Sequence, residues 1–209
     1  MEDRAAPIVG LVLAAGAGTR FGGPKGLARD VAGTPWIVRA VEALSRGGCD
    51  RVLVAVGARG DEVAGLVPAG AEVVHVADWA AGLSATLRAG LFAAGGAAAG
   101  GVAAVGMTAN GAPADGVSAV VVLPVDVPDA PAAAVRRVIE AAGTDVAGAL
   151  VQASYAGAPG HPVLLGGRHL DEIVQQVAGD DGARAYLRAH AVTRVDCGDL
   201  WSGADIDIA

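Results

Sequence analysis

The chain is short of lysine, cysteine, aromatic residues and long apolar runs, and each shortage excludes something. Among 15 basic residues only Lys25 is a lysine, and a formal net charge of −7 leaves no basic excess for a nucleic-acid-binding surface. Cys49 and Cys197 are the only cysteines and lie far apart, so neither a zinc site nor a disulfide framework is expected, and a reducing cytoplasm is the expected location. Aromatics make up 3% of the chain. No apolar run approaches the roughly 20 residues of a membrane span. The start "MEDRAAPIVG" lacks a basic stretch followed by a long apolar core, so no secretory signal and no membrane partner are expected.

What is present is alternation. The 209 residues suit one domain over 1–209. Short, nearly continuous apolar runs recur at "IVGLVLA" (8–14), "RVLVAV" (51–56), "AEVVHV" (71–76), "SAVVVLPV" (118–125) and "VAGALV" (146–151), as buried parallel strands tend to be. Helical segments are expected over 35–46, 61–66, 84–94 and 131–142, and then near 168–177 and 182–190. Strand–helix alternation predicts an α/β fold with a mainly parallel sheet between two helical layers. The segment 93–117, glycine- and alanine-rich without periodicity, is expected to be a mobile surface insertion, with a lid as the alternative.

The first strand runs into "LAAGAGTRFGGPK" (13–25). Successive backbone N–H groups in a glycine loop can wrap a phosphate closely, and nearby cations offset its charge. The spacing is neither the G-x-G-x-x-G dinucleotide fingerprint nor a P-loop: Gly16, Gly18 and Gly22 are spaced one residue too far, and Pro24 and Gly26 flank Lys25. Lys25 is singled out because a compact, freely rotating ammonium survives here where arginine serves everywhere else.

These residues resemble the L-[AG]-[AG]-G-x-[GS]-x-R-[MF]-G-x-x-K signature of the nucleotidyltransferases related to molybdenum cofactor biosynthesis. "DVAGTPWIVRAVEAL", "ADWAAGLSATLRAGL", "GHPVLLGGRHLDEI" and "GDDGARAYLRAH" extend the resemblance, the last three toward the molybdenum cofactor cytidylyltransferase branch. The resemblance implies a three-layer, Rossmann-like nucleotidyltransferase fold. It also implies transfer of a nucleoside monophosphate from an NTP to a molybdopterin-type phosphate, with Mg2+ as cofactor and release of pyrophosphate. Leu13, Ala14, Ala15 and Gly16 then meet the base and ribose through their backbone. Gly18, Arg20 and Lys25 meet the triphosphate, and Asp78 and Ser84 approach the nucleotide. Asp126 in "LPVDVPD" and Asp207 in "DIDIA" match the metal carboxylates. Arg20, Lys25 and Asp126 are the expected catalytic groups. Ala14 and Ala15 match the cytidylyltransferase branch rather than the L-A-G-G of guanylyl-transferring relatives, and a methyl at Ala15 is expected to narrow the space beside the base and favour a pyrimidine, so CTP is the expected donor over GTP. A molybdoenzyme or chaperone partner is left open.

The chemistry stands beside the resemblance. Two anionic reactants must meet, so cations and a metal on carboxylates are needed, and an already ionised phosphate needs no general base. The chain departs from the family pattern at three places. Val125 replaces the glycine before Asp126, the asparagine expected before the tryptophan segment is absent, and the chain reads "DIDIA" without the following T-P-x-D. Alternative roles are a helix cap for Asp126, toward a segment starting near Pro128, and an ordinary tail residue for Asp207. His161 is expected to shape a turn or touch the acceptor, and His75, His169 and His190 to be structural. The rival functions are an NAD(P)H-dependent reductase, since nicotine blue oxidoreductase is similar to this branch, and a non-catalytic binder of a pterin cofactor.

Overall fold

The computed structural model describes residues 6–95 and 116–207. Seven strands form one sheet in the order β3-β2-β1-β4-β6-β5-β7: β1 Ile8–Ala14, β2 Arg51–Val56, β3 Ala71–His75, β4 Ala119–Pro124, β5 Leu150–Tyr155, β6 Ala158–Gly166 and β7 Thr193–Asp196. All neighbours pair in parallel except β6, which runs antiparallel to both β4 and β5. The mainly parallel α/β sheet is as the alternation predicts.

Strand residues alternate between two cores. Val12, Val54, Val121 and Leu123 face one side, where α1 (Trp36–Gly47) contributes Ile37 and Leu44 and α4 (Ala132–Ala141) contributes Val135 and Val138. Leu11, Leu13, Leu53 and Val122 face the other, against Leu87 and Leu91 of α3 (Leu83–Ala94) and Ile173 of α5 (Leu170–Gln176). Two shorter helices complete the described set, α2 (Gly60–Ala64) and α6 (Arg184–Ala189). Branched aliphatics on both faces of a central strand leave no face for water, which is why those strands read as continuous apolar runs. No described helix is long and apolar enough to cross a membrane.

The fifth expected strand is shifted. Val146–Gly148 forms a 3-10 turn, and the strand starts at Leu150 and continues to Tyr155. It then turns back through Ala156 (φ 48°) and Gly157 (φ 82°) into β6. Two successive positive φ values are what a tight hairpin turn needs. Two strands carry no continuous apolar signal in the sequence: β6, whose pattern Pro159, Gly160 and Pro162 interrupt, and β7, a short edge strand of mostly exposed residues. Of the expected insertion at 93–117, residues 96–115 lie outside the described residues.

Candidate active site

The carboxyl ends of β1 and β4 meet where Leu13 pairs with Pro124, so the two following loops emerge side by side. The N–H of Val125 donates to the Leu13 carbonyl at 3.1 Å, carrying that pairing one residue further. The glycine loop after β1 folds on itself at Gly18, whose carbonyl accepts the N–H groups of Phe21 (3.0 Å) and Gly23 (3.1 Å). Gly18 sits at φ +59°, and a Cβ there would lie 1.9 Å from the Gly23 carbonyl oxygen. Only glycine fits. The closed loop delivers Lys25 to a 3-10 turn, Lys25–Leu27, beside the β4 loop.

Lys25 Nζ donates to Asp126 Oδ2 at 3.0 Å and to Asp207 Oδ1 at 2.8 Å. Burial works against its charge, but the bonds to Asp207 and Asp126 and the attraction of both carboxylates outweigh that and raise its pKa. The hydrogen bond from Lys25 holds the Asp207 carboxyl below its usual range. Asp126 therefore caps no helix: its carboxylate turns to Lys25, and α4 begins later, after Pro131.

Asp207 is held by its surroundings. The Ile206 N–H donates to the Asp126 carbonyl at 2.9 Å, and the Ile206 side chain packs on the first core. Further back, Trp201 Nε1 donates to the Tyr155 hydroxyl at 2.7 Å, with the two rings edge to face. The extended backbone puts Asp205 and Asp207 on one side of Ile206. Asp126, Asp205 and Asp207 each offer one carboxylate oxygen within 4.8 Å of the others. Asp205 escaped the sequence reading, although its i, i+2 spacing from Asp207 in an extended tail is the signal that would have found it.

A cleft of about 620 Å³ lies over this rim. Leu13, Ala14, Ala15, Gly16, Gly18, Arg20, Lys25, Asp126 and Asp207 all line it. Asp78 and Ser84 do not. Asp78 is exposed beside the cleft, and Ser84 is 1% exposed, with its Oγ unpartnered inside the fold. The chain enters α3 at Leu83, so the turn that faces the cleft presents Leu83 and Thr86, three residues apart, and Ser84 points inward. Trp79, Thr86 and Asp180 also line the cleft. Ala14 and Ala15 are 3% and 1% exposed, and their methyl groups belong to the two opposite cores. Ala15 therefore cannot screen a base by direct methyl contact.

His161 lines a second cavity of about 590 Å³ that adjoins the first and shares Leu13, Leu83, Pro124 and Asp126 with it. Burial lowers the His161 pKa. His169 and His190 pack around Tyr186: His169 Nδ1 lies 2.8 Å from its hydroxyl, and His190 Nδ1 lies 2.8 Å from its carbonyl.

The glycine loop, the lysine and the three carboxylates thus meet at the carboxyl edge of a mainly parallel sheet, where such sheets bind their ligands. The chain belongs to the family of the MobA-like NTP transferase domain, which matches residues 10–195. It is 31% identical over 221 residues to nicotine blue oxidoreductase of Paenarthrobacter nicotinovorans, covering 99% of this chain and 96% of that protein. Its fold is similar to that of Rv0371c from Mycobacterium tuberculosis H37Rv, with TM-score 0.74, 24% identity, and 98% and 94% of the two chains covered. That protein is also known in complex with manganese. A nucleotidyl transferase from Methanothermobacter thermautotroptrophicus superposes with TM-score 0.69 at 22% identity, over 91% of this chain and 87% of its own.

Proposed function

We propose that the protein is a metal-dependent nucleotidyltransferase that moves a nucleoside monophosphate, CMP in preference, from an NTP to a molybdopterin-type phosphate. The acceptor's phosphate oxygen attacks the α-phosphorus, the bond from that phosphorus to the bridging oxygen breaks, and pyrophosphate leaves with the electron pair. The observation that carries this reading is the clamp of Lys25 between Asp126 and Asp207 at the mouth of the glycine loop. In this role Gly16 and Gly18 bring backbone N–H groups to the phosphates, Leu13 to Ala15 set the base and ribose wall, and Arg20 and Lys25 offset the growing charge on pyrophosphate.

The carboxylate triad suits a hard divalent ion. Three carboxylate oxygen donors, all within 4.8 Å of one another, match the oxygen preference of Mg2+ or Mn2+. Asp126, Asp205 and Asp207 would hold Mg2+, which when bound neutralises phosphate charge as a Lewis acid. A manganese complex of the mycobacterial fold relative supports a divalent ion here. The CTP preference rests on the resemblance of "LAAG" to the cytidylyltransferase branch, since the Ala15 methyl is buried.

The 31% identity to nicotine blue oxidoreductase favours a second reading, a reductase using NAD(P)H. One assay separates the two. The protein is incubated with molybdopterin, Mg2+ and each NTP in turn, and separately with NAD(P)H and a quinone-like dye. Pyrophosphate release, greatest with CTP, is the expected result. Release with GTP alone would overturn the base preference. NAD(P)H consumption with no pyrophosphate from any NTP would overturn the transferase.

A further inference from the structure

The arginines divide into two groups. Most are engaged: Arg39 with Asp30 and Asp129, Arg51 with Glu72, Arg59 with Glu62, Arg137 with Asp199 and Arg168 with Asp145, while Arg29, Arg88 and Arg136 donate to backbone carbonyls and Arg46 pairs with Glu42. Four described arginines have no side-chain hydrogen bond or ion pair with another described residue: Arg20, Arg184, Arg188 and Arg194. Arg20 lines the nucleotide cleft, and the other three all line the second cavity. In a chain of net charge −7 with 22 acidic residues, three guanidinium groups outside any ion pair line one cavity, whose other charged lining residues are Asp126, Asp181 and Asp205.

The sheet explains how they converge. Arg194 on β7 pairs with Gln152 on β5, Gln152 with Val163 on β6, and Val163 with Val122 on β4. All four line the cavity, so they form a row across its floor, and Pro124, two residues on from Val122, leads toward Asp126. Arg184 and Arg188, four apart on α6, lie on one helix face above this floor. From β7 to β4 is three strand spacings, about 14 Å. The floor thus runs from Arg194 through Gln152 to an apolar stretch at Val163 and Val122, and Asp126 and Asp205 of the triad line the same cavity.

We propose that Arg184, Arg188 and Arg194 form a distal anion subsite, so that the acceptor is an elongated phosphomonoester carrying a second anionic group remote from its reacting phosphate. This rests on the reading of the first cleft as the nucleotide site. The second anion meets the guanidinium forks, which match phosphate and carboxylate oxygens in pairs. The apolar middle holds the body of the acceptor, and the near phosphate reaches the rim at Asp126, where the two cavities join. The arginines act as specificity residues: they set which phosphomonoester enters, and they stand apart from the bonds that change.

Calorimetry with octane-1,8-bisphosphonate and with octylphosphonate, both in Mg2+, tests this. The bisphosphonate is expected to bind the wild type roughly tenfold more tightly than the monophosphonate. Arg194→Gln, and separately the double variant Arg184→Gln with Arg188→Gln, should each collapse that ratio toward one. Both should leave octylphosphonate and CTP affinity unchanged, which also shows that the variants are folded. Equal wild-type affinity for the two probes overturns the subsite, as does an unchanged ratio in both variants. A wild type that binds no CTP but keeps an arginine-dependent ratio overturns the nucleotide reading and leaves the distal subsite standing.

Discussion

Lys25 and Asp207 stand 182 positions apart in the chain and 2.8 Å apart in the fold. The same ammonium lies 3.0 Å from Asp126, so the single lysine occupies the cationic position among carboxylates proposed to hold a metal. Two cations compete for one set of oxygens. Lys25→Ala should therefore have opposite effects on two ligands. CTP affinity in Mg2+ should fall at least about tenfold, because a phosphate-facing charge is lost, while Mn2+ affinity of the nucleotide-free protein should rise. Calorimetry for CTP and electron paramagnetic resonance for free Mn2+ measure both. Unchanged values for both ligands would mean the ion pair is only structural.

Asp126→Asn should reduce metal-dependent turnover by roughly a hundredfold or more, since a neutral amide is a poor partner for a hard divalent cation. Asp205→Asn tests the carboxylate that only the structure brought in. It should weaken Mn2+ binding by about tenfold while preserving the thermal midpoint, because Asp205 is exposed and outside the core. Full Mn2+ affinity in Asp205→Asn would reduce the proposed site to Asp126 and Asp207.

Gly18→Ala places a methyl against the Gly23 carbonyl in a left-handed conformation. The loop must reopen to admit it. CTP binding should weaken by about tenfold or more while global stability falls by no more than about 1–2 kcal/mol. Wild-type CTP affinity in this variant would separate the loop from nucleotide binding.

Gly47→Ala should do the reverse. Its Cβ would fall 2.4 Å from Cβ and Cγ1 of Val135, at the contact of α1 with α4. Val135 is fully buried and β-branched, so the clash cannot be relieved by a rotamer change. Overpacking of this kind costs about 1–3 kcal/mol and should lower the melting midpoint by several degrees. CTP affinity should stay unchanged in calorimetry below that midpoint.

Burial pushes the Cys49 thiol from an ordinary 9.0 up to about 12. The folded state thus keeps a proton that the unfolded chain releases near pH 9, so this residue's contribution to stability is complete below pH 9 and is lost as the pH rises toward 12. Chemical denaturation at pH 8, 9.5 and 10.5 should show Cys49→Ala losing less stability with rising pH than the wild type. An identical pH slope in both proteins would count against the burial effect. At pH 8 neither Cys49 nor the fully buried Cys197 should react with Ellman's reagent until the protein unfolds.

Elements whose signal is local are legible in the amino-acid order alone. The runs of β1, β2 and β4 are apolar on both faces because helices cover both sides, and that burial is written residue by residue. The glycine loop and Lys25 were legible for the same reason: Gly18 has a backbone conformation of its own, and a lone lysine stands out without knowledge of its neighbours. The remaining features depend on contacts between distant segments. β6 carries two prolines and a glycine that hide it, and it is a strand because β4 and β5 both offer it hydrogen-bonding edges. Ser84 and Asp78 lie close in sequence to Trp79 and Thr86, yet the entry of α3 at Leu83 sets which of them face the cleft. Asp207 gains its place from Trp201 on Tyr155 and from Ile206 on Asp126, contacts between residues 46 and 80 positions apart. Local pattern carries burial and backbone conformation, whereas the meeting of charges depends on which strands become neighbours, and no window of sequence contains that.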